Sequence, residues 1–334
     1  MLILAIESSC DETSCAIVKD GTEVLSNSVS SQIDIHKEYG GVFPEIASRL
    51  HIENINIVIK DALSKASVTL DDIDAIAVTE GPGLVGSLHI GVMAAKTLSW
   101  SLNKPLIPVH HIAGHIYANK LVGELKFPLL SLVISGGHTE LVYMKDDYQF
   151  EVIGKTQDDA VGEAYDKVAR LLGLDYPGGP IIDRLAKTGK KNYQLPKVKT
   201  ENPLDFSFSG LKSAVRQLVL REERFEREVI VEDVAYAFQH AAVDELMRRV
   251  NLALEMYEVK SFVLAGGVAA NSEVRSRVSA LASEHPDLNV LQPPLWACMD
   301  QAAMIGLAGA VAMEKGIRGN CEITANSNKQ LLSY

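Results

Sequence analysis

The chain has 334 residues, of which 47% are hydrophobic and 22% charged, and its formal net charge is −11. This length suits two domains of ordinary size, and the composition is that of a soluble globular enzyme. The acidic balance excludes a surface that binds nucleic acid throughout, because phosphate binding needs positive potential at least locally. No apolar run of about 18 residues indicates a membrane span.

The amino terminus and the cysteines favour a cytoplasmic protein. Met1–Glu7 lacks the basic start and the small-residue cleavage site of a signal peptide, and it predicts a buried first strand instead. The four cysteines form no Cys-x-x-Cys pair and are few for this length. A reducing compartment is therefore expected.

A strand–loop–strand plan occurs twice along the chain. Near the start, strands are predicted at Leu2–Ile6 and Ala16–Val18, on either side of the polar turn Glu7–Ser14. The second copy has an apolar strand at Leu129–Ile134, then a turn, then a strand at Glu140–Met144. This repetition predicts a duplicated domain plan, with one copy in each half.

Strands, helices and glycine-rich turns alternate through the rest of the chain, which predicts an α/β architecture. The predicted elements are, in order, a strand at Ile73–Val78, a buried helix at Ser87–Leu102, a strand at Val259–Leu264, a helix from about Ser272 and a closely packed helix at Ala302–Glu314.

Three glycine-rich turns are candidates for phosphate binding: Gly81–Gly83, Ser135–Thr139 and Ala265–Asn271. Glycine lets backbone N–H groups close on an anion, and the third turn also opens a helix, whose N-terminus favours negative charge. None of the three matches a P-loop or a complete dinucleotide fingerprint. Because two of the turns follow strands in different halves, a phosphate-binding cleft between two lobes is favoured over ordinary turns.

The spacing of His111 and His115 indicates a metal site. Four residues apart on a helix, the two imidazoles share one face, although a helix cap plus a surface histidine is the structural alternative. Zinc proteases carry a glutamate inside this motif, and here that position is Ile112. Asp300 lies in an otherwise apolar run and needs a partner, which makes it a candidate third ligand. Two histidines and one carboxylate suit Fe(II), or zinc with a substrate ligand.

One stretch departs from the acidic average. It contains Arg184, Lys187, Lys190, Lys191, Lys197 and Lys199 and no acidic residue. On composition alone, a solvated loop is the favoured interpretation. A nucleic-acid contact is the alternative.

Together these segments resemble the TsaD family, the universal enzymes that make N6-threonylcarbamoyladenosine at position 37 of tRNA. The resemblance covers essentially the whole chain. It rests on segments in the same order as in the family: Ile6–Ser14, Gly41–Arg49, Gly81–Gly86, His110–His115, Ser135–Glu140, Asp159–Lys167, Tyr176–Pro180, Asp205–Lys212 and Gly266–Asn271.

The resemblance implies the actin/Hsp70-like (ASKHA) α/β fold, with two RNase-H-like lobes around a nucleotide and metal cleft. The expected lobes are residues 1–128, completed by a C-terminal helix at about 302–330, and residues 129–301. The implied metal ligands are His111, His115 and Asp300. The implied contacts to the nucleotide or acyl-adenylate are Ile134, Ser135, Gly136, Gly137, His138, Asp166, Gly179, Asp183 and Asn271.

The resemblance also implies the reaction. The threonylcarbamoyl group would pass from threonylcarbamoyl-AMP to N6 of adenosine 37 in tRNAs that read codons beginning with A, releasing AMP. Asp11, Glu12 and His138 are the candidates for proton handling, with turn capping as the alternative for the two acids. Actin-like ATPases carry an aspartate at the start of each phosphate loop, whereas this chain has Glu7 and Ser135. A nucleotide site without efficient kinase activity is therefore expected.

The expected partners are tRNA, a degenerate paralogue (TsaB-like) on the first lobe and a small P-loop ATPase (TsaE-like). A tRNA substrate needs a local basic footprint. The basic stretch at 184–199 is therefore a candidate tRNA contact as well as a candidate solvated loop. Three rival functions remain: a metal-dependent glycoprotein endopeptidase, a non-catalytic nucleotide-dependent scaffold and a sugar kinase. The endopeptidase is disfavoured because no glutamate lies between the histidines. The scaffold is disfavoured because the metal ligand set is retained, and the sugar kinase is disfavoured because the loop aspartate is missing.

Overall fold

The computed structural model describes residues 1–331, which form two compact units. The first contains Met1–Leu125, Asp146–Phe150 and the chain from Pro293 onward, and the second contains Lys126–Lys145 and Glu151–Gln292. This division differs from the expected lobes mainly at residues 293–301, which belong to the first unit. Asp300 therefore lies in the same unit as His111 and His115.

Each unit is built on a five-stranded mixed sheet. The first sheet has the order β3-β2-β1-β4-β5, formed by β1 (Leu2–Glu7), β2 (Glu12–Lys19), β3 (Glu23–Ser31), β4 (Ala75–Gly81) and β5 (Leu106–His110). The second has the order β10-β9-β6-β7-β8, formed by β6 (Leu129–Ile134), β7 (Thr139–Met144), β8 (Phe150–Lys155), β9 (Ser261–Ala265) and β10 (Asn289–Leu291).

The two sheets share one plan, as the repeated sequence pattern predicts. In the first, β1 pairs antiparallel with β2 and parallel with β4, which is parallel to β5. In the second, β6 pairs antiparallel with β7 and parallel with β9, which is parallel to β10. In both units the carboxyl ends of the parallel strands therefore meet at one edge of the sheet.

Ten α-helices lie among the described residues. They are α1 (Ile33–Lys37), α2 (Pro44–Ala66), α3 (Val85–Leu102), α4 (His111–Tyr117), α5 (Val161–Leu171), α6 (Gly178–Ala186), α7 (Ser209–Arg224), α8 (Val231–Met256), α9 (Ser272–Glu284) and α10 (Ala302–Glu314). None of these helices, within residues 1–331, has the length and apolar character that a membrane crossing requires.

Helices cover both faces of the first sheet. Leu4, Ile6 and Val78 share a buried cluster with residues of α2 and α3. Because side chains alternate across a strand, Ala5 and Ala77 face the other side, where α10 packs. A Cβ added to Gly306 of α10 would lie 2.4 Å from Val18 Cγ2, so the small residues of this helix permit its close approach to the sheet.

Two local predictions differ from the structure. The second strand begins at Glu12 and not at residue 16, because Glu12, Thr13 and Ser14 pair with β3. The helix expected over about 302–330 ends at Glu314, and Gly316 follows with φ +79°, a left-handed conformation that stops a helix. The described residues beyond it form turns and one isolated bridge, between Gly319 and Leu106.

Candidate metal centre and nucleotide loops

The topology of the first sheet brings His111 to an edge occupied by other polar groups. Glu7 ends β1, Thr79 lies near the end of β4, and His111 begins α4 directly after β5. All three side chains are buried, although they are polar. Strand direction alone therefore places a carboxylate and a hydroxyl beside the first predicted ligand.

The three predicted metal ligands converge. His115 Nε2 lies 3.0 Å from Asp300 Oδ1 and 3.2 Å from His111 Nε2, and His111 Nε2 lies 3.4 Å from Asp300 Oδ1. Asp300 is only 23% exposed, and the two histidine side chains are almost fully buried. Within residues 1–331 this is the one group of His, Cys, Asp and Glu side chains close enough to hold a metal ion.

Glu7 and Ser9 determine which nitrogen of His111 is available. Glu7 Oε2 and Ser9 Oγ both lie 3.1 Å from His111 Nδ1. The carboxylate accepts the Nδ1–H, and it is held by the Thr79 hydroxyl at 2.6 Å and the Ser9 backbone N–H at 2.5 Å. In the neutral ring, the lone pair of His111 is therefore on Nε2, the atom that faces His115 and Asp300. Metal-binding histidines are commonly oriented by a carboxylate in this way.

The charges in this cluster are strongly coupled. Burial would raise the pKa of Asp300, but the neighbouring histidines outweigh it and hold that pKa well below its usual range. Burial would likewise lower the pKa of His111, yet Asp300 and Glu7 hold it well above its usual range. The cluster therefore favours bound positive charge, which a proton or a cation can supply.

The residues fit a metal ion by their chemistry. Two imidazole Nε2 atoms that are 3.2 Å apart cannot both carry a proton towards each other. His115 Nδ1 is buried and has no hydrogen-bond partner within the described residues, so no hydrogen bond fixes its proton there. Two neutral imidazoles and one carboxylate with open coordination positions suit a single divalent transition metal.

Asp11 and Glu12 lie in the same unit as the metal cluster. Glu12 is buried, and its Oε1 accepts a hydrogen bond from Ser31 Oγ at 3.2 Å. Burial, followed by the charges of Asp11 and Asp300, raises the pKa of Glu12 to about 10. Asp11 is half-buried, and its carbonyl accepts the Gln32 N–H at 3.0 Å. The third proton-handling candidate, His138, lies in the second unit.

The turn between β6 and β7 has the form of an open anion loop. Ser135 Oγ accepts N–H bonds from Gly137 at 3.3 Å and His138 at 3.0 Å, so these donors already point at one oxygen atom. Gly136 and Gly137 are exposed, and a Cβ on either would meet no atom within 4 Å. Ile134, the last residue of β6, is buried beneath the turn.

The N-terminus of α5 packs against this turn. Gly162 N donates to the Ser135 carbonyl at 3.2 Å, and a Cβ on Gly162 would lie 2.6 Å from that oxygen. Further along α5, Asp166 Oδ1 accepts the Gly178 N–H at 2.7 Å, at the start of α6. Burial raises the pKa of Asp166. Asp166 thus caps α6, the helix that carries Gly179 and Asp183.

Asp183 and Asn271 belong to one hydrogen-bond network. Gln239 joins them, because its Nε2 donates to Asp183 Oδ1 at 3.1 Å and its Oε1 accepts from Asn271 Nδ2 at 2.8 Å. Ser272 Oγ also donates to Asp183, at 2.7 Å. Asn271 Oδ1 caps α9 through the N–H groups of residues 273 and 274. Both side chains are therefore held in fixed orientations.

The third glycine-rich turn adjoins the strand that leads into the anion loop. Gly266 has φ +90°, and a Cβ there would lie 2.4 Å from the Ile134 carbonyl oxygen. The parallel pairing of β6 and β9 brings the two turns to the same edge of the sheet. The structure thus gathers the predicted nucleotide residues within the second unit, as it gathers the metal ligands within the first.

Some residues of the two sites are not predicted from the sequence. Glu7 is predicted only as a substitute for a loop aspartate, and Thr79 and Gln239 carry no prediction. An acid at the end of an apolar strand is the available signal for Glu7, by the reasoning that singles out Asp300. The six basic residues from Arg184 to Lys199 are all exposed. One of them, Lys187, forms an ion pair with Asp183, with 3.5 Å between Nζ and Oδ2.

The sequence of this chain is similar to those of one family of known proteins. A family model for TsaD, tRNA N6-adenosine threonylcarbamoyltransferase, matches residues 23–307. Relatives of that name from Bacillus licheniformis and Bacillus subtilis are each 55% identical to all of this chain, and 98% and 97% of their lengths are covered.

Solved structures bear on the fold alone. HypF from T. kodakarensis superposes with a TM-score of 0.62 at 14% identity, over 94% of this chain and 48% of that one. Component A of the Acidaminococcus fermentans (R)-2-hydroxyglutaryl-CoA dehydratase superposes with a TM-score of 0.53 at 16% identity, over 94% and 98%. Both superpositions cover nearly the whole of this chain, and the predicted ASKHA fold is confirmed.

Proposed function

The chain belongs to the TsaD family of tRNA N6-adenosine threonylcarbamoyltransferases, and we propose that it carries out the family reaction in full. The threonylcarbamoyl group of threonylcarbamoyl-AMP passes to N6 of adenosine 37 in tRNAs that read codons beginning with A, and AMP is released. The observation that carries this proposal is the match to relatives of that name, 55% identical over the whole chain. The product is the modified nucleoside N6-threonylcarbamoyladenosine.

The reaction is acyl transfer from a mixed anhydride. The N6 amine attacks the carbamoyl carbon, a C–N bond forms, and the bond from that carbon to the phosphate oxygen breaks. AMP leaves as the anion, and the amine loses one proton. The protein must therefore hold the phosphate, align the acceptor and stabilise developing charge.

The turn at residues 135–138 supports phosphate binding. Two backbone N–H groups already converge on the Ser135 hydroxyl, and a phosphate oxygen can replace it as their acceptor. The N-terminus of α5 adds favourable potential beside the turn. Asp166 holds the start of α6 and so positions Gly179, while Asp183 and Asn271 suit the hydroxyl groups of the nucleotide ribose or of the threonyl part.

The metal site is proposed to contain one divalent ion, with Fe(II) favoured and Zn(II) possible, held by His111, His115 and Asp300. When bound, such an ion supplies Lewis-acid stabilisation to a phosphate or carbonyl oxygen. Glu7 keeps the His111 proton on Nδ1 and so leaves Nε2 free to coordinate. Since no glutamate lies between the two histidines in the sequence motif, positioning an acyl-adenylate fits this site better than activating water.

Proton handling is assigned to Asp11, Glu12 and His138 as a group. The buried Glu12, with its raised pKa, is suited to donate a proton. A base for the N6 amine would then be Asp11 or His138. The variants Asp11→Asn, Glu12→Gln and His138→Gln separate these roles. The measurement is the pH dependence of threonylcarbamoyl transfer by each variant.

The proposed partners are tRNA, a TsaB-like degenerate paralogue on the first lobe and a TsaE-like P-loop ATPase, all in the cytoplasm. The exposed basic residues between Arg184 and Lys199 are the proposed tRNA contact. Because the net charge is −11, the partner subunits are expected to complete the basic footprint.

The proposal is tested by supplying both substrate classes to one preparation. The metal-loaded chain with its partners is incubated with threonylcarbamoyl-AMP and tRNA, and separately with a glycoprotein. Modified nucleoside in digested tRNA, with no cleaved glycoprotein, is the expected result. Metal-dependent cleavage that is lost in His111→Ala would instead support the endopeptidase.

A further inference from the structure

Residues 326–329, which follow α10, lie against the end of β4 and the loop after it. Asn326 N donates to the Glu80 carbonyl at 2.9 Å, and Gly83 N donates to the Ser327 carbonyl at 3.3 Å. The Lys329 ammonium forms an ion pair with the Glu80 carboxylate, and the two side chains are only 17% and 15% exposed. The segment 326–329 is therefore bonded to the end of β4 and the following loop by backbone and side chain together.

The fit between segment and loop is close. A Cβ on Gly81 would lie 1.9 Å from the Asn326 carbonyl oxygen, so any side chain at position 81 would displace the segment. Just before it, Ile323 packs against the apolar cluster between the first sheet, α2 and α3. Lys96 Nζ also donates to the Ile323 carbonyl at 3.1 Å. These contacts anchor the chain immediately upstream of residues 326–329.

Lys329 also determines the tautomer of His110. Its carbonyl accepts the His110 Nε2–H at 3.0 Å. The same ring accepts the Ile112 N–H on Nδ1 at 3.2 Å, which caps α4. A neutral imidazole can make both bonds only with its proton on Nε2. The Lys329 carbonyl thus selects the form of His110 that caps the helix carrying His111 and His115.

A second path reaches the same ligand. Glu80 follows Thr79, whose hydroxyl donates to Glu7, and Glu7 in turn accepts the His111 Nδ1–H. The Asn326 and Lys329 contacts hold Glu80 by its carbonyl and its carboxylate. The segment therefore supports both neighbours of His111: the residue before it and the carboxylate that orients its ring.

We propose that residues 326–329 form a positioning segment of the metal centre, with Lys329 as its positioning residue. This inference rests on the metal ligand set of the proposed function. The segment contacts no proposed ligand directly and acts through His110 and Glu80. Its removal should weaken metal binding by about tenfold to a hundredfold, the usual effect of losing groups that orient ligands.

The test is a metal titration of the full chain and of a chain ending at Ala325, which keeps Ile323. Co(II) and Zn(II) dissociation constants are measured by competition with a chromogenic chelator, and folding is checked by circular dichroism. Lys315→Met is the matched control, because this lysine forms an exposed ion pair with Asp146 in the same unit. The control should bind metal like the unaltered chain.

A rescue variant separates positioning from general loss of stability. Asparagine is a good helix cap whose Oδ1 is always an acceptor, so it needs no carbonyl to select a tautomer. Adding His110→Asn to the shortened chain should restore at least half of the lost affinity on a logarithmic scale. A chain shortened at Ala325 that folds and binds metal with unchanged affinity would overturn the inference, as would failure of the rescue.

If the shortened chain does not fold, Lys329→Met and Glu80→Gln decide the matter. Each should weaken metal binding by about tenfold, and full affinity in both would overturn the inference. The unaltered chain is titrated first. If it binds no metal, the proposed ligand set fails, which is a different outcome from equal binding by all variants.

Discussion

Glu7 accepts the Nδ1–H of His111 at 3.1 Å, although the two residues are 104 positions apart. The contact arises because β1 and β5 are both parallel to β4, so their carboxyl ends reach the same edge of the sheet. It aims His111 Nε2 at His115 and Asp300. The proposed metal centre thus depends on a carboxylate outside the proposed ligand set as well as on the three proposed ligands.

Replacing Glu7 should therefore weaken metal binding. Glu7→Gln keeps the shape but exchanges a charged acceptor for an amide, so the His111 tautomer is no longer fixed. We expect a loss of about tenfold to a hundredfold in affinity, measured by competition titration. Glu222→Gln, another buried acid but in the second unit, is the matched control. Equal metal affinity of Glu7→Gln and the control would contradict the orienting role.

His115→Ala should remove one ligand and leave the first sheet intact. Metal content, measured by inductively coupled plasma mass spectrometry after purification, should fall from about one ion per chain to near zero, since two remaining ligands hold a divalent ion weakly. His240→Ala, a half-exposed histidine in the second unit, should retain its metal. Unchanged content in His115→Ala would take this residue out of the ligand set.

Gly136→Ala should impair nucleotide binding without affecting folding. Its added methyl meets no protein atom within 4 Å, and its φ is not positive, so the free energy of unfolding should change by no more than about 0.5 kcal/mol. The methyl projects from the open turn, where the phosphate is proposed to bind. AMP affinity by calorimetry should fall at least about tenfold, the loss of about one hydrogen bond to a charged group.

Gly210→Ala is the control for this prediction, because a Cβ there also meets no atom within 4 Å. It lies on α7, away from the turn in sequence, and should leave AMP affinity unchanged. If Gly136→Ala binds AMP as well as Gly210→Ala does, the turn at 135–138 does not hold the phosphate.

Neutralising Lys197 and Lys199 together should weaken tRNA binding in a salt-dependent way. Both side chains are exposed. For every lysine that no longer neutralises a phosphate, the slope of log affinity against log salt should become shallower by about 0.7 to 0.9. The measurement is fluorescence anisotropy of labelled tRNA over a salt series, with Lys60→Gln/Lys65→Gln in the first unit as control. Identical slopes for the two double variants would exclude the basic stretch as a tRNA contact.

Much of this architecture is predictable because its signals are local. Apolar strands around polar turns indicate the repeated sheet plan, and the turn before Ser272 predicts the start of α9 correctly. His111 and His115 are predictable as a pair because four residues make about one helical turn. Asp300 is predictable as a candidate ligand from its cost of burial together with the family resemblance.

Contacts between distant residues are not predictable in this way. No local pattern shows that Glu7 meets His111, that Gln239 joins Asp183 to Asn271, or that Lys329 bonds to His110. The extended helix at 302–330 is also wrong beyond Glu314, since the apolar pattern ends at that point and a left-handed glycine follows. Strand order and chain reversals determine these contacts.

We expect this chain to transfer threonylcarbamoyl to tRNA at a site that depends on its His-His-Asp cluster. The most direct measurement is a single-turnover assay with carbamoyl-labelled threonylcarbamoyl-AMP, substrate tRNA, the partner subunits and the metal-loaded chain. We predict label at adenosine 37 in equal amount to the AMP released, and loss of both in Asp300→Ala with the fold retained. AMP release without label in tRNA, or full transfer by Asp300→Ala, would contradict it.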